Sequence, residues 1–150
     1  MKSIIIFFLL ELSLSYNPAG AVSYAKKYCN NYNINYNNYK NLIIRGGEDA
    51  NFVSQCMNEG GGQDFEGCEA RDNKGMFRSV SALKNCLISK GWKQTARCQK
   101  GNPIFMKSYS HSMIIIDSDA NNIFFNSHYP DRCSSALSLR NLNSVECYEL

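Results

Sequence analysis

The chain predicts an α+β domain, with N-terminal helices laid on an antiparallel β-sheet and the whole braced by disulfides. Two observations predict the layers. Apolar residues recur at helical spacing up to Gly91, and from Pro103 onward they change to short apolar runs separated by turn residues. A third predicts the bracing: seven cysteines fall within 150 residues, many for a chain of this size. The length suits one domain of about 100–200 residues. Net charge is +3, from 16 Lys and Arg against 13 Asp and Glu, with no long basic run, so nothing calls for a nucleic-acid partner. A hydrophobic content of 44% excludes a disordered chain.

Residues 1–15 have the pattern of a secretory signal peptide. Met1, Lys2 and Ser3 form a short basic start, residues 4–10 are an unbroken apolar run, and Ser13 and Ser15 occupy the small-residue cleavage positions. A buried N-terminal strand is the competing reading, and Glu11 sits close to the apolar run. The run is far below the ~20 residues that span a bilayer. No other stretch reaches that length, so the mature protein, residues 16–150, is expected to be secreted as a single domain without a membrane span. Exported cysteines meet an oxidising environment and tend to pair. No Asn-x-Ser/Thr sequon occurs, so N-glycosylation is not expected.

Asn17 and Pro18 open a first helix over residues 19–28, with Val22, Ala25 and Cys29 along one side. Residues 30–41 are almost entirely Asn and Tyr, which favours a long surface loop. Glu48 or Asp49 can cap a second helix through Phe52, Val53, Cys56 and Met57, stopped by Gly60, Gly61 and Gly62. Residues 62–78 are polar and irregular. Ser79 can cap a third helix with Val80, Leu83, Leu87 and Ile88 on one side, closed by Gly91. Strands are then expected at residues 103–107, 111–117 and 123–128, with a short one near 145–148; residues 117–122 carry the turn chemistry between two of them.

Taken together, residues 16–25, residues 46–56, and residues 110–115 with 126–132 resemble the putative amidase domain family, relatives of the papain-like CHAP and NlpC/P60 cysteine hydrolases. Residues 16–25 look like that family's first helix. Gly46-Gly47-Glu48-Asp49-Ala50-Asn51-Phe52-Val53-Ser54-Gln55-Cys56 is similar to its signature Gly-Gly-Asp-Cys-(Thr/Ala)-Asn-Phe-Val-Ser-Gln-Cys. Residues 110–115 and 126–132 resemble its histidine-bearing strand and the strand after it. The resemblance implies a papain-like fold and a site of nucleophilic cysteine, histidine and a polar orienting residue. Helix N-terminal amides and a neighbouring imidazole would activate such a thiol for attack on an amide carbonyl.

Aligned from Asn51 leftward, Asp49 falls on the nucleophile position and Glu48 on the family's Asp, so the thiol is missing. Cys56 shares a face with Asp49 but lies about 10.5 Å further along the helix axis, beyond the activating amides, and suits a buried apolar role. His111 is the expected site imidazole, with His128 or Asn126 as the orienting third member. A carboxylate beside His111 forms an ion pair more readily than it attacks an unactivated amide. Two histidines with Asp49 make a weak metal signal, and no metal or cofactor is expected. With Cys56 set aside, six cysteines remain, and sequence cannot choose among their 15 possible pairings.

The leading expectation is a secreted pseudoenzyme whose groove binds a peptide, a cell-wall (peptidoglycan-type) amide or a protein partner. The alternatives are an active hydrolase using another nucleophile or a metal, an engineered knockout of an active enzyme, and a disulfide-rich interaction module.

Overall fold

The computed structural model describes residues 15–40 and 47–150. Apart from Ser15, the expected signal peptide lies outside them, as does Gly46 of the signature. The first helix, α1, runs Pro18–Lys27. Asn17 starts it by accepting a hydrogen bond from the Gly20 amide at 3.0 Å, and Pro18 occupies the first turn, where its missing N–H costs nothing. Ala21, Val22 and Ala25 form its buried stripe.

Helix α2, Gly47–Gln55, is buried along its whole length, and a π-helical turn, Cys56–Gly60, follows it. Glu48 and Asp49 were expected ahead of this helix as caps. Both instead lie inside its first turn, where they suit the dipole and leave their carboxylates free for other partners. The glycines end the segment as expected, Gly62 adopting a left-handed φ of 70°. Gly20 and Gly60 let α1 and the π turn meet backbone to backbone, for a methyl on Gly20 would collide with the Gly60 carbonyl.

Residues 62–78 are irregular, with one isolated bridge between Arg71 and Phe77. Helix α3 spans Val80–Ser89, and the Ser79 hydroxyl accepts from the Ala82 amide. Val80, Leu83 and Leu87 are buried, but Ile88 is 50% exposed, which corrects its expected place on the apolar side. At 100° per residue, Ile88 points well away from Leu87.

The sheet is wholly antiparallel and has the order β1-β6-β2-β3-β4-β5. Its strands are β1 Lys93–Thr95, β2 Pro103–Met106, β3 Ser112–Ser118, β4 Asn122–Ser127, β5 Arg132–Ser138 and β6 Val145–Glu149. The four expected strands are present within a residue or so at each end, and β1 and β5 are additional. Strands β2 to β5 form a meander, whereas β6 returns to lie between β1 and β2. Alternate residues of β3 point to opposite faces. Ile114 and Ile116 meet the helices, together with Phe52, Met57, Leu83 and Trp92. Met113 and Ile115 join Ile104, Phe125 and Val145 on the far face, covered by Cys98, Leu137 and Leu142. The apolar run in β3 is continuous because both of its faces are covered. Each fully buried side chain of this kind stabilises by about 1.5–3 kcal/mol.

Three disulfides link Cys29 to Cys133, Cys68 to Cys86 and Cys98 to Cys147, and Cys56 is free and buried. No helix among the described residues is long and apolar enough to cross a membrane.

Candidate functional site

Glu48 and Asp49 are only 2% and 1% exposed. Consecutive helical residues diverge by about 100°, so the two carboxylates reach in different directions and each meets its own histidine. His111 immediately precedes β3, and His128 immediately follows β4. Since Ile114 lies across from Asn126 in this antiparallel pair, the two histidines flank the same end of the strand pair, beside the first turn of α2.

Asp49 Oδ2 lies 2.5 Å from His111 Nδ1. The other carboxylate oxygen, Oδ1, is buried without a hydrogen-bond partner among the described residues, as is Ser112 Oγ. His111 Nε2 also has no partner there, and it is not fully enclosed. The imidazole and Asp49 form the floor of a cavity of about 220 Å³ whose walls are Tyr109, Ser110, Tyr129, Pro130 and Arg132. Tyr109 lies roughly parallel to the imidazole, with ring centroids 5.8 Å apart.

The second pair serves a different purpose. His128 Nε2 donates to the Tyr28 carbonyl at 2.9 Å, and Nδ1 faces Glu48 Oε1 at 3.1 Å. Glu48 Oε2 accepts from the Tyr39 amide at 2.6 Å. The imidazole stacks on Phe52, with centroids 3.8 Å apart, and Tyr32 lies over it at 4.4 Å. Both ring nitrogens are engaged, and neither bonds to His111. This cluster fastens the Asn/Tyr loop to the first turn of α2. Above it, Asp131 accepts from Tyr32 and Lys40, each at 2.8 Å. Burial would raise the Asp131 pKa, but these two hydrogen bonds and the nearby His128 and Lys40 charges outweigh it and hold the carboxyl below its usual range.

Asn126 is likewise committed elsewhere. Its Nδ2 donates to the Ala25 carbonyl at 2.9 Å, and its Oδ1 accepts from the Ser134 amide at 2.8 Å, clipping α1 and β5 to β4. Of the four residues expected in the site, the structure therefore joins Asp49 and His111 and places His128 and Asn126 in separate bonding networks. The pairing of Glu48 with His128 was missed in the sequence, although the neighbouring carboxylates offered a signal. Except for Tyr109, the cavity walls belong to segments already singled out, but nothing in their composition marks Arg132 or Tyr129.

None of the seven cysteines lines the cavity over His111. Six cysteines are in disulfides, and burial raises the pKa of the seventh, Cys56, well above that of an ordinary thiol. Among the described residues no group of three His, Cys, Asp or Glu is placed to hold a metal ion. A larger hollow of about 600 Å³ lies beside the Cys98–Cys147 bridge, but neither carboxylate nor imidazole lines it.

An α+β domain with a buried acid–histidine pair at the first turn of a helix defines a class before it defines a family. The family follows from the sequence match: residues 15–104 fit the family model described as a putative amidase domain, more than half of the chain, and the protein belongs to that family. The match includes Glu48, Asp49 and α2 and ends before His111. No curated protein and no solved structure matches the chain.

Proposed function

We propose that this protein is an exported amidase-family domain of papain-like architecture, akin to the CHAP and NlpC/P60 hydrolases. In this reading it has lost thiol catalysis and binds a peptide or a cell-wall amide in the cavity over His111. The carrying observation is the contact of 2.5 Å between Asp49 and His111 Nδ1. It puts a carboxylate beside the site imidazole, at the helix start where a family nucleophile would stand. A carboxylate so placed pairs with the imidazole and is a poor nucleophile toward an unactivated amide. The three disulfides are compatible with an extracellular protein, and export adds the reason for their formation.

Activity assays on peptide and peptidoglycan-type amides test this reading. The wild-type protein is expected to show no turnover. Asp49→Cys restores a thiol beside His111 and is expected to raise turnover by roughly 10²-fold or more above background, abolished by alkylation. A variant that folds normally yet stays inactive would show that the rest of the site is no longer that of an amidase.

The unpartnered His111 Nε2 favours one other reading, in which the Asp49–His111 pair acts as a general base on water. Wild-type turnover that survives both alkylation and chelation would select it.

A further inference from the structure

The walls of the cavity over His111 indicate what kind of end group it takes. Several polar groups of the cavity have no protein partner among the described residues: the Arg132 guanidinium, His111 Nε2 and the hydroxyls of Tyr109, Ser110 and Tyr129. Its one carboxylate, Asp49, is turned to His111 Nδ1 through Oδ2, while the buried Oδ1 has no partner among the described residues. With Nδ1 engaged by Asp49, the imidazole leaves Nε2 for a ligand. The remaining walls are Ser110, Pro130 and the rings of Tyr109 and Tyr129, which are 57% and 50% exposed. Tyr129 is held at a φ of 50°, a conformation rarely adopted by residues with large side chains. Arg132 is exposed, and its backbone is anchored by the neighbouring Cys133, which is bridged to Cys29 just beyond α1.

A planar guanidinium beside an imidazole nitrogen and three hydroxyls is matched by a carboxylate, which bonds bidentately to arginine and accepts from neighbouring donors. The volume, about 220 Å³, equals roughly seven waters at ~30 Å³ each, enough for one or two small residues. We infer that the cavity binds the free C-terminal carboxylate of a peptide, held by Arg132 and His111 with the chain lying between Tyr109 and Tyr129. This rests on the ligand-binding reading above and narrows it from an internal amide to a chain end. A peptide terminus is favoured over a small free acid because the two tyrosines extend the contact surface beyond the charged floor.

Calorimetric titration of the disulfide-intact protein with N-acetyl-dialanine, with its C-terminal amide and with acetate tests the inference. The acid is expected to bind at least about tenfold more tightly than either the amide or acetate, in keeping with a charge-assisted pair. Arg132→Gln is expected to remove that advantage while leaving the weak affinity for the amide unchanged. The unfolding midpoint of the variant reports whether it has folded. Equal binding of acid and amide would overturn the inference and leave the ligand-binding reading standing. Acetate binding as tightly as the dipeptide would overturn it in favour of a simple anion site. No binding of any of the three would overturn it as well, while the Asp49→Cys assay judges the loss of thiol catalysis independently.

Discussion

At the residue scale, two adjacent carboxylates have been given unlike tasks by one turn of helix. Asp49 faces a cavity, and Glu48 faces a closed network that ends on a backbone carbonyl and a backbone amide. Removing a partner from a buried charged pair leaves uncompensated polarity, which is more costly than never having placed it there. Glu48→Ala is therefore expected to destabilise by about 3–5 kcal/mol in denaturant melts. It leaves His128 Nδ1 and the Tyr39 amide without their acceptor, and the Asn/Tyr loop should become susceptible to proteolysis before global unfolding. A loss below about 1 kcal/mol would mean that Phe52 and Tyr32 alone suffice to hold the imidazole.

At the element scale, the crossing of α1 and the π turn depends on two residues that lack side chains. Gly20→Ala places a methyl against the Gly60 carbonyl, and Gly60 itself has only 2.8 Å between its would-be Cβ and the Cα of Ala21. Helix propensity alone would favour alanine at Gly20 by up to about 1 kcal/mol. The clash reverses that sign, and a net destabilisation of about 1–3 kcal/mol is expected from thermal or chemical unfolding. The elements read from sequence were those with strong local signals: Asn17 and Ser79 as caps, the glycines after the π turn, and the apolar runs of β2 to β4. Strands β1 and β5 escaped because both lie at sheet edges and carry mostly polar or small residues, so no alternation reveals them. Ile88 was misplaced because a run of apolar residues hides where the helical stripe ends. Within the site, the sequence motif pointed to Asp49 and His111. The separate roles of His128 and Asn126 depend on backbone partners, Tyr28, Ala25 and Ser134, that only the folded chain brings near.

At the scale of the whole molecule, the disulfides divide the labour of holding a modest core together. Cys29–Cys133 closes a loop of 104 residues, Cys98–Cys147 one of 49 and Cys68–Cys86 one of 18. In the chain-entropy account, stabilisation grows slowly with loop length, from about 3 kcal/mol for a loop near 15 residues to about 4.7 for one near 100. Replacing Cys29 and Cys133 by serine is thus expected to lower stability by about 4–5 kcal/mol, more than the same change at Cys68 and Cys86. Comparison of the two double variants by denaturant titration checks the order. An inverted order would indicate that native-state contacts around Cys68 matter more than loop entropy.

The placement of β6 has a consequence for how this chain comes into being. Val145–Glu149 is made after every other described strand, yet it occupies an interior position, pairing with β1 on one side and β2 on the other. Synthesis from the N-terminus therefore yields a meander whose β2 edge is bare and a β1 strand with nothing to lie against. A nascent chain stopped before Val145 has its helices and most of its sheet encoded, but no way to join β1 to the rest or to close the Cys98–Cys147 bridge. Pairings so distant in sequence also form slowly. Completion of the fold is in this way tied to the last strand, and the sheet stays open at its middle until Val145–Glu149 has been made.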